Sequence, residues 1–322
     1  VGRRLVFMFS GQGSQYYHMG VELFSKDAVF RRWMLKLDDL AQEINGQSIL
    51  RILYDENRRK SDSFDRLLFT HPAVFMVEYA LAQLFLEHGI EPAYVLGASL
   101  GEFTAAAVAG VMALPEIMAC VIRQAEIVES QCEDGGMLAI VHSLDLYDRS
   151  PLLRENSELA AENYQTHFVV SGYRTPLLMI RDELKARGIL HELLPIRYGF
   201  HSVAIEPAAE AYLSFLSRRT YGRSSIPLMT CSEGIMAERL SPTHFWDATR
   251  KPIRFQKALE GLRVIEDVSY IDMGPTGTLA AFIRNSMPKE SPAHAYAAMS
   301  PFSSNLVSVR TAMAPLQKSY MG

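Results

Sequence analysis

Three stretches of the chain begin as a short apolar run that stops at a glycine-containing turn, and in the latter two, residues with helical spacing follow. They are "RLVFMFSGQGSQ" at 4–15, "YVLGASLGEFTAAAVAG" at 94–110 and "VSYIDMGPTGTLAAFI" at 268–283. Apolar runs this short, bounded by turn residues, suit buried strands. Strands that alternate with helices imply a parallel sheet covered on both faces. Further helices are predicted over 72–88, with Pro72 at the start, and over roughly 114–131. The interval from about 130 to 198 reads differently. It holds strands at 135–141, 167–172 and 191–196 and a helix at 176–188, a smaller α+β insertion. The fold class is therefore α/β, with a large domain over 1–130 and 199–322 and a small one over 131–198. The last 20 residues show no clear pattern.

A chain of 322 residues, 48% hydrophobic and 10% aromatic, can bury a sizeable core. Its 32 basic and 36 acidic residues leave a net charge of −4, which gives no general electrostatic reason to bind nucleic acid or an anionic membrane. Cys120, Cys132 and Cys231 are widely spaced, which fits neither a disulfide framework nor a structural metal site. Apolar stretches such as 95–111 are broken by Gly, Ser and Glu, so no membrane span is expected, and the composition suits a cytoplasmic protein.

The stretch at 94–110 carries G-x-S-x-G around Ser99. Small flanking residues allow the chain to bend sharply, so that the hydroxyl stands clear at the strand end while the helix amides point at the reacting oxygen. That geometry suits acyl transfer through a serine nucleophile. The pentapeptide alone also fits an ordinary strand-to-helix turn.

A serine nucleophile needs a base. His18, His88, His142, His191 and His244 sit in polar or terminal contexts and are expected at the surface or in loops. His71, in "FTHPAV", lies just before a predicted helix and could line a pocket, cap or pack. His201 follows Gly199 and Phe200 at the end of an apolar strand. Position alone does not separate a base from a structural histidine there.

Five motifs bear on that choice: "FSGQGSQYYHMG" near the start, "GASLGE" at 97–102, "FHS" at 200–202, "RKPIRF" at 250–255 and "DMGPTGTL" at 272–279. Together and in this order they resemble the malonyl-CoA:acyl carrier protein transacylase family, including acyltransferase domains of polyketide synthases. The resemblance implies an α/β-hydrolase-like core with a parallel sheet and an inserted ferredoxin-like subdomain. It implies Ser99 as nucleophile and His201 as general base, with no aspartate in the triad. A backbone carbonyl, by alignment that of Ala248, would orient the imidazole. The N–H groups of Gln12 and Leu100 would form the oxyanion hole. Tyr198 and Phe200, in "YGFH", would line the acyl pocket, with His71 a further candidate. No cofactor or metal is implied.

Two departures from the family pattern carry information. Transacylases of the family place an arginine about 25 residues beyond the nucleophile to hold the malonyl carboxylate as a bidentate pair. Here that count reaches Gln124, not Arg123. Ile117, Val121, Gln124 and Val128 share an apolar helical face, whereas Arg123 falls with Glu116, Cys120, Glu126 and Ile127 on a more mixed one. Ala98 stands where the family usually has histidine, which opens space beside the nucleophile.

A neutral amide cannot offset the cost of burying a carboxylate. Both changes resemble a branch of free-standing acyltransferase homologues in polyketide pathways that act as acyl hydrolases. The expected function is cleavage of stalled acyl groups from an acyl carrier protein bearing acyl-phosphopantetheine. The alternatives are a malonyl transferase, with Arg123 turned inward, and a non-catalytic docking module. The basic run "SRRTYGR" at 217–223 is a candidate contact for an acidic carrier protein.

Overall fold

The computed structural model describes residues 4–263, 267–287 and 294–317. Among the described residues ten strands form two sheets: β1 (Arg4–Phe9), β2 (Tyr94–Gly97), β3 (Gly135–Ile140), β4 (Glu158–Tyr164), β5 (His167–Tyr173), β6 (His191–Leu193), β7 (Arg223–Thr230), β8 (Ile235–Arg239), β9 (Val268–Asp272) and β10 (Ala295–Ala297). The larger sheet has the order β10-β9-β1-β2-β7-β8. Its first five members run parallel and β8 closes the edge antiparallel to β7. The C-terminal ends of β1 and β2 lie side by side, with Phe9 paired to Gly97. The loops that leave them carry the first two glycine motifs, at the end of a parallel sheet where ligands bind.

The smaller sheet, β4-β5-β3-β6, is antiparallel. Strand alternation divides its residues between two faces. Leu138, Ile140, Phe168 and Val170 pack on Leu177, Ile180 and Leu184 of the Arg174–Ala186 helix. Met137, Ala139 and Val169 point the other way, toward the large sheet's core. The chain enters and leaves this sheet at one place, because the Gly135 N–H donates to the Arg197 carbonyl at 2.7 Å.

The long Leu67–Glu87 helix begins five residues before the expected start, and Pro72 lies inside it. Pro72 removes the bond that its amide would give, and the turn before it is held by the carbonyl of Arg66, which accepts from Phe69 and Thr70. Among the described helices it alone is long and apolar enough to cross a membrane, and 83% of that window is packed inside the protein. The strands β4, β7 and β8 and the helix Asn305–Gln317 had no counterpart in the sequence reading. The segment "ELAAENY" of β4 is rich in Ala, Glu and Asn, which rarely favour strands, and its place comes from pairing with β5. β6 stops at Leu193, short of the predicted Ile196, because Pro195 cannot continue a ladder.

A buried carboxyl ties this core together. Glu78, in the middle of the Leu67–Glu87 helix, accepts from the Ser10 N–H at 2.7 Å and the Ser10 hydroxyl at 2.8 Å through one oxygen, and from the Thr104 hydroxyl at 3.0 Å through the other. Burial pushes its pKa up to about 8. A carboxyl raised from 4.5 binds its proton more tightly in the folded state, so its contribution is complete below about pH 4.5 and declines as pH rises toward 8. Histidines held below their usual range have already released their protons above pH 6.5. The protein should therefore lose on the order of 1 to 2 kcal/mol from this group between pH 6.5 and 8. Glu78→Gln, which keeps an acceptor for Ser10 and offers Thr104 a donor that its hydroxyl can turn to accept from, should flatten that decline in chemical denaturation; an unchanged slope would refute the assignment.

Candidate active site

Ser99 sits at the turn between β2 and the Gly101–Val108 helix with φ of 55°, in the left-handed region that a non-glycine residue enters at a cost of about 1–2 kcal/mol. The flanking glycines make the turn possible. A Cβ on Gly101 would stand 2.0 Å from the Phe9 carbonyl oxygen, and one on Gly97 would stand 2.4 Å from the Glu102 Cα. Glu102 locks the turn from behind, as its carboxylate accepts from the Cys231 and Ser232 amides at 3.0 and 2.8 Å. His244, expected at the surface, is buried with Nε2 2.8 Å from that carboxylate. It belongs to the His244–Arg250 helix, whose first turn packs into the core.

The hydroxyl of Ser99 meets His201 Nε2 at 2.8 Å. His201 also has a positive φ, 63°, and its main-chain N–H donates to the Thr249 carbonyl at 2.9 Å. Its Nδ1 donates to a main-chain carbonyl at 2.7 Å, and that carbonyl belongs to Lys251, not Ala248. The reason is helical geometry: Ala248 lies within the last turn of the His244–Arg250 helix, while Lys251 caps it in an extended conformation and turns its carbonyl off the axis. With Nδ1 protonated against an acceptor, Nε2 presents a lone pair to the serine. Burial pushes the imidazole down to about 4.

The amides of Gln12 and Leu100 flank the same cavity, and among the described residues neither donates to a protein acceptor. Glu78 governs both sides of this pair. It holds Ser10, two residues before Gln12, and Thr104, four residues after Leu100.

The cavity has a volume of about 430 Å³. Ala98, Ser99, His201, Phe200, His71 and Gln124 line it, and so does the inner face of the small sheet. Tyr198 does not: its side chain is buried on the other side of the strand exit, near Cys132 and Glu129. Two residues apart in an irregular segment, Tyr198 and Phe200 take different directions. Gln124 is buried and its Nε2 donates to the Thr249 hydroxyl at 2.6 Å. Arg123 points outward and pairs with Glu126 at 2.8 Å. Ile117, Val121 and Val128 are buried with Gln124, but so are Cys120 and Ile127 from the face read as mixed. Asn163, His167 and Glu192 also line the cavity and were not singled out from the sequence. They sit on the small sheet, whose pairing brings distant strands to the site.

The basic run at 217–223 lies elsewhere. It precedes β7, whose C-terminal Thr230 pairs with Gly97 at the site end of the sheet, so Arg223 stands at the opposite end. Arg219 is already paired with Glu116 at 2.8 Å and Arg223 with Glu238.

The geometry finds its counterpart in known proteins. The acyl transferase domain family matches residues 6–318. The chain belongs to the acyltransferase family. Over 298 residues it is 48% identical to a polyketide biosynthesis acyltransferase homolog, BaeD, of Bacillus velezensis, spanning 92% of both chains. It is 44% identical to the homolog PksD of Bacillus subtilis over 307 residues, 95% of each. Among solved structures, a loading acyltransferase of the avermectin modular polyketide synthase aligns with a TM-score of 0.87 at 25% identity, covering 97% of this chain and 99% of that one.

An imidazole at about 4 stays a free base through the neutral range. The rate at which an acyl thioester modifies Ser99 should hold steady from pH 8 down to about pH 5 and fall below about pH 4. Short-pulse intact-protein mass measurements across that range check it, and a limb near pH 6.5 would overturn the depression of the imidazole.

Proposed function

We propose that this acyltransferase-family enzyme is a trans-acting acyl hydrolase of polyketide biosynthesis, which cleaves non-carboxylated acyl groups from the phosphopantetheine arm of an acyl carrier protein. One observation carries the reading: among the described residues, no Arg or Lys lines the cavity, and the position expected to hold a carboxylate is Gln124, whose amide is committed to Thr249. A buried malonyl carboxylate would lose several kcal/mol of solvation with no cation to compensate. An acyl chain without that group meets mostly apolar walls. The names of the two Bacillus relatives support the pathway assignment.

In this reading Ser99 Oγ attacks the thioester carbonyl and its proton passes to His201 Nε2. The carbonyl oxygen becomes an oxyanion between the Gln12 and Leu100 amides. One such donor contributes about 3–4 kcal/mol to the barrier reduction. Collapse breaks the carbon–sulfur bond, and the pantetheine sulfur leaves with the proton from His201. Water then gives a proton to His201 and attacks the acyl-serine ester, releasing the carboxylic acid and restoring Ser99. Residues 131–198 act as a distinct subdomain that walls the acyl chamber, a division supported by the single place at which the chain enters and leaves the small sheet.

The test uses acyl carrier proteins loaded with acetyl, longer acyl or malonyl groups. Release of free acid from the first two, lost by at least a hundredfold in Ser99→Ala and in His201→Ala, is expected. Gln124→Arg should raise malonyl modification of Ser99 about ten- to a hundredfold, the contribution of a hydrogen-bonded charge. If the parent already takes malonyl from malonyl-CoA rapidly and passes it to a carrier protein, the enzyme is a malonyl transferase and this reading fails.

A further inference from the structure

Two residues that line the acyl cavity, His71 and Gln12, carry polar atoms that the mechanism leaves unused. His71 is 1% exposed, lines the cavity and contacts Gln12: its Nε2 lies 3.2 Å from Gln12 Oε1. The far atoms of the pair, His71 Nδ1 and Gln12 Nε2, are buried and, among the described residues, without a hydrogen-bond partner. Burial drives the imidazole down to about 3, so it is neutral. Since Gln12 Oε1 only accepts, Nε2 of the ring carries the proton and Nδ1 is a bare acceptor. The spare amide hydrogens of Gln12 are donors. If the amide were reversed, ring and amide would exchange roles, and the pair would again leave one donor and one acceptor. An unsatisfied buried polar group is costly, and a ligand able to pair it would recover that cost.

We propose that Gln12 and His71 form a polar subsite in the acyl chamber that selects acyl groups carrying a hydroxyl near the thioester, the β-hydroxyacyl class. This inference rests on the hydrolase reading for its chemistry but concerns which acyl group reaches Ser99. A hydroxyl can give one hydrogen bond and accept another, so it complements a donor and an acceptor. A carboxylate only accepts, and a plain alkyl chain does neither. The placement favours the first carbons of the chain. The main-chain N–H of Gln12 faces the thioester oxygen, and its side chain is only a few bonds away. The Phe200 ring lies 5.6 Å from that of His71, an apolar wall beside the pair.

The test compares 3-hydroxybutyryl and butyryl thioesters of one carrier protein, in both hydroxyl configurations. The readout is the rate at which each acylates Ser99, by intact-protein mass, followed by loss of the adduct. The wild-type protein should acylate at least tenfold faster with one 3-hydroxybutyryl enantiomer than with butyryl. His71→Phe should bring that ratio to twofold or less, mainly by slowing the hydroxyacyl substrate. His71→Gln, which restores a donor and an acceptor, should recover most of it. Equal acylation by both substrates in the wild-type protein overturns the proposal without recourse to any variant, and so does a ratio that survives in folded His71→Phe. Persistent adducts that water does not clear would instead defeat the hydrolase reading and leave the selectivity result standing.

Discussion

The site depends on the contact between Glu78 and the two segments it joins. Ser10 ends β1 and leads to Gln12, while Thr104 lies in the helix that starts beside Ser99. These segments are separated by about ninety positions in sequence, and no covalent feature fixes their spacing. The pairing of β1 with β2 brings them together, and one buried carboxyl clamps them from the helix between them, with each oxygen assigned to a different partner. The left-handed backbone at Ser99 and the close packing of Gly101 on Phe9 become tolerable because the surroundings hold them. Strain at the turn and burial at Glu78 are thus parts of one arrangement.

Much of this arrangement could be read from the residues. The strand, turn and helix around Ser99 follow from local pattern, since buried parallel strands are short apolar runs and a glycine on each side of the serine answers a steric need. The outward turn of Arg123 and inward turn of Gln124 follow from helical spacing. Where sequence reasoning missed, long-range pairing made the decision. The β4 segment owes its strand state to β5, and only that pairing carries Asn163 and His167 to the cavity. The carbonyl that holds His201 depends on where a helix stops, and it lies three residues beyond the expected Ala248. His244 looks solvated in sequence and is buried because Glu102, some 140 positions earlier, waits for it.

The small sheet contributes to the site through its choice of side chains on one face. One side closes on its own helix through Leu138, Ile140, Phe168 and Val170, and the other presents Met137, Ala139 and Val169 to the chamber. Chamber volume can therefore change by substitution at alternate positions of β3 and β5 while the packing that stabilises the sheet stays intact.

The support of His201 by the carbonyl of Lys251 has a consequence for how such proteins diverge. A carboxylate in that role would be visible as an invariant acidic side chain, and its loss would be a single substitution. A peptide oxygen is supplied by every residue type, so the side chain at 251 is released from the reaction and here reaches Asp247 at 3.0 Å. Mutational drift at this position leaves the imidazole's support in place as long as the helix ends where it does. What evolution must preserve is a backbone path, and the third member of the catalytic group is written in the chain's geometry with no letter of its own.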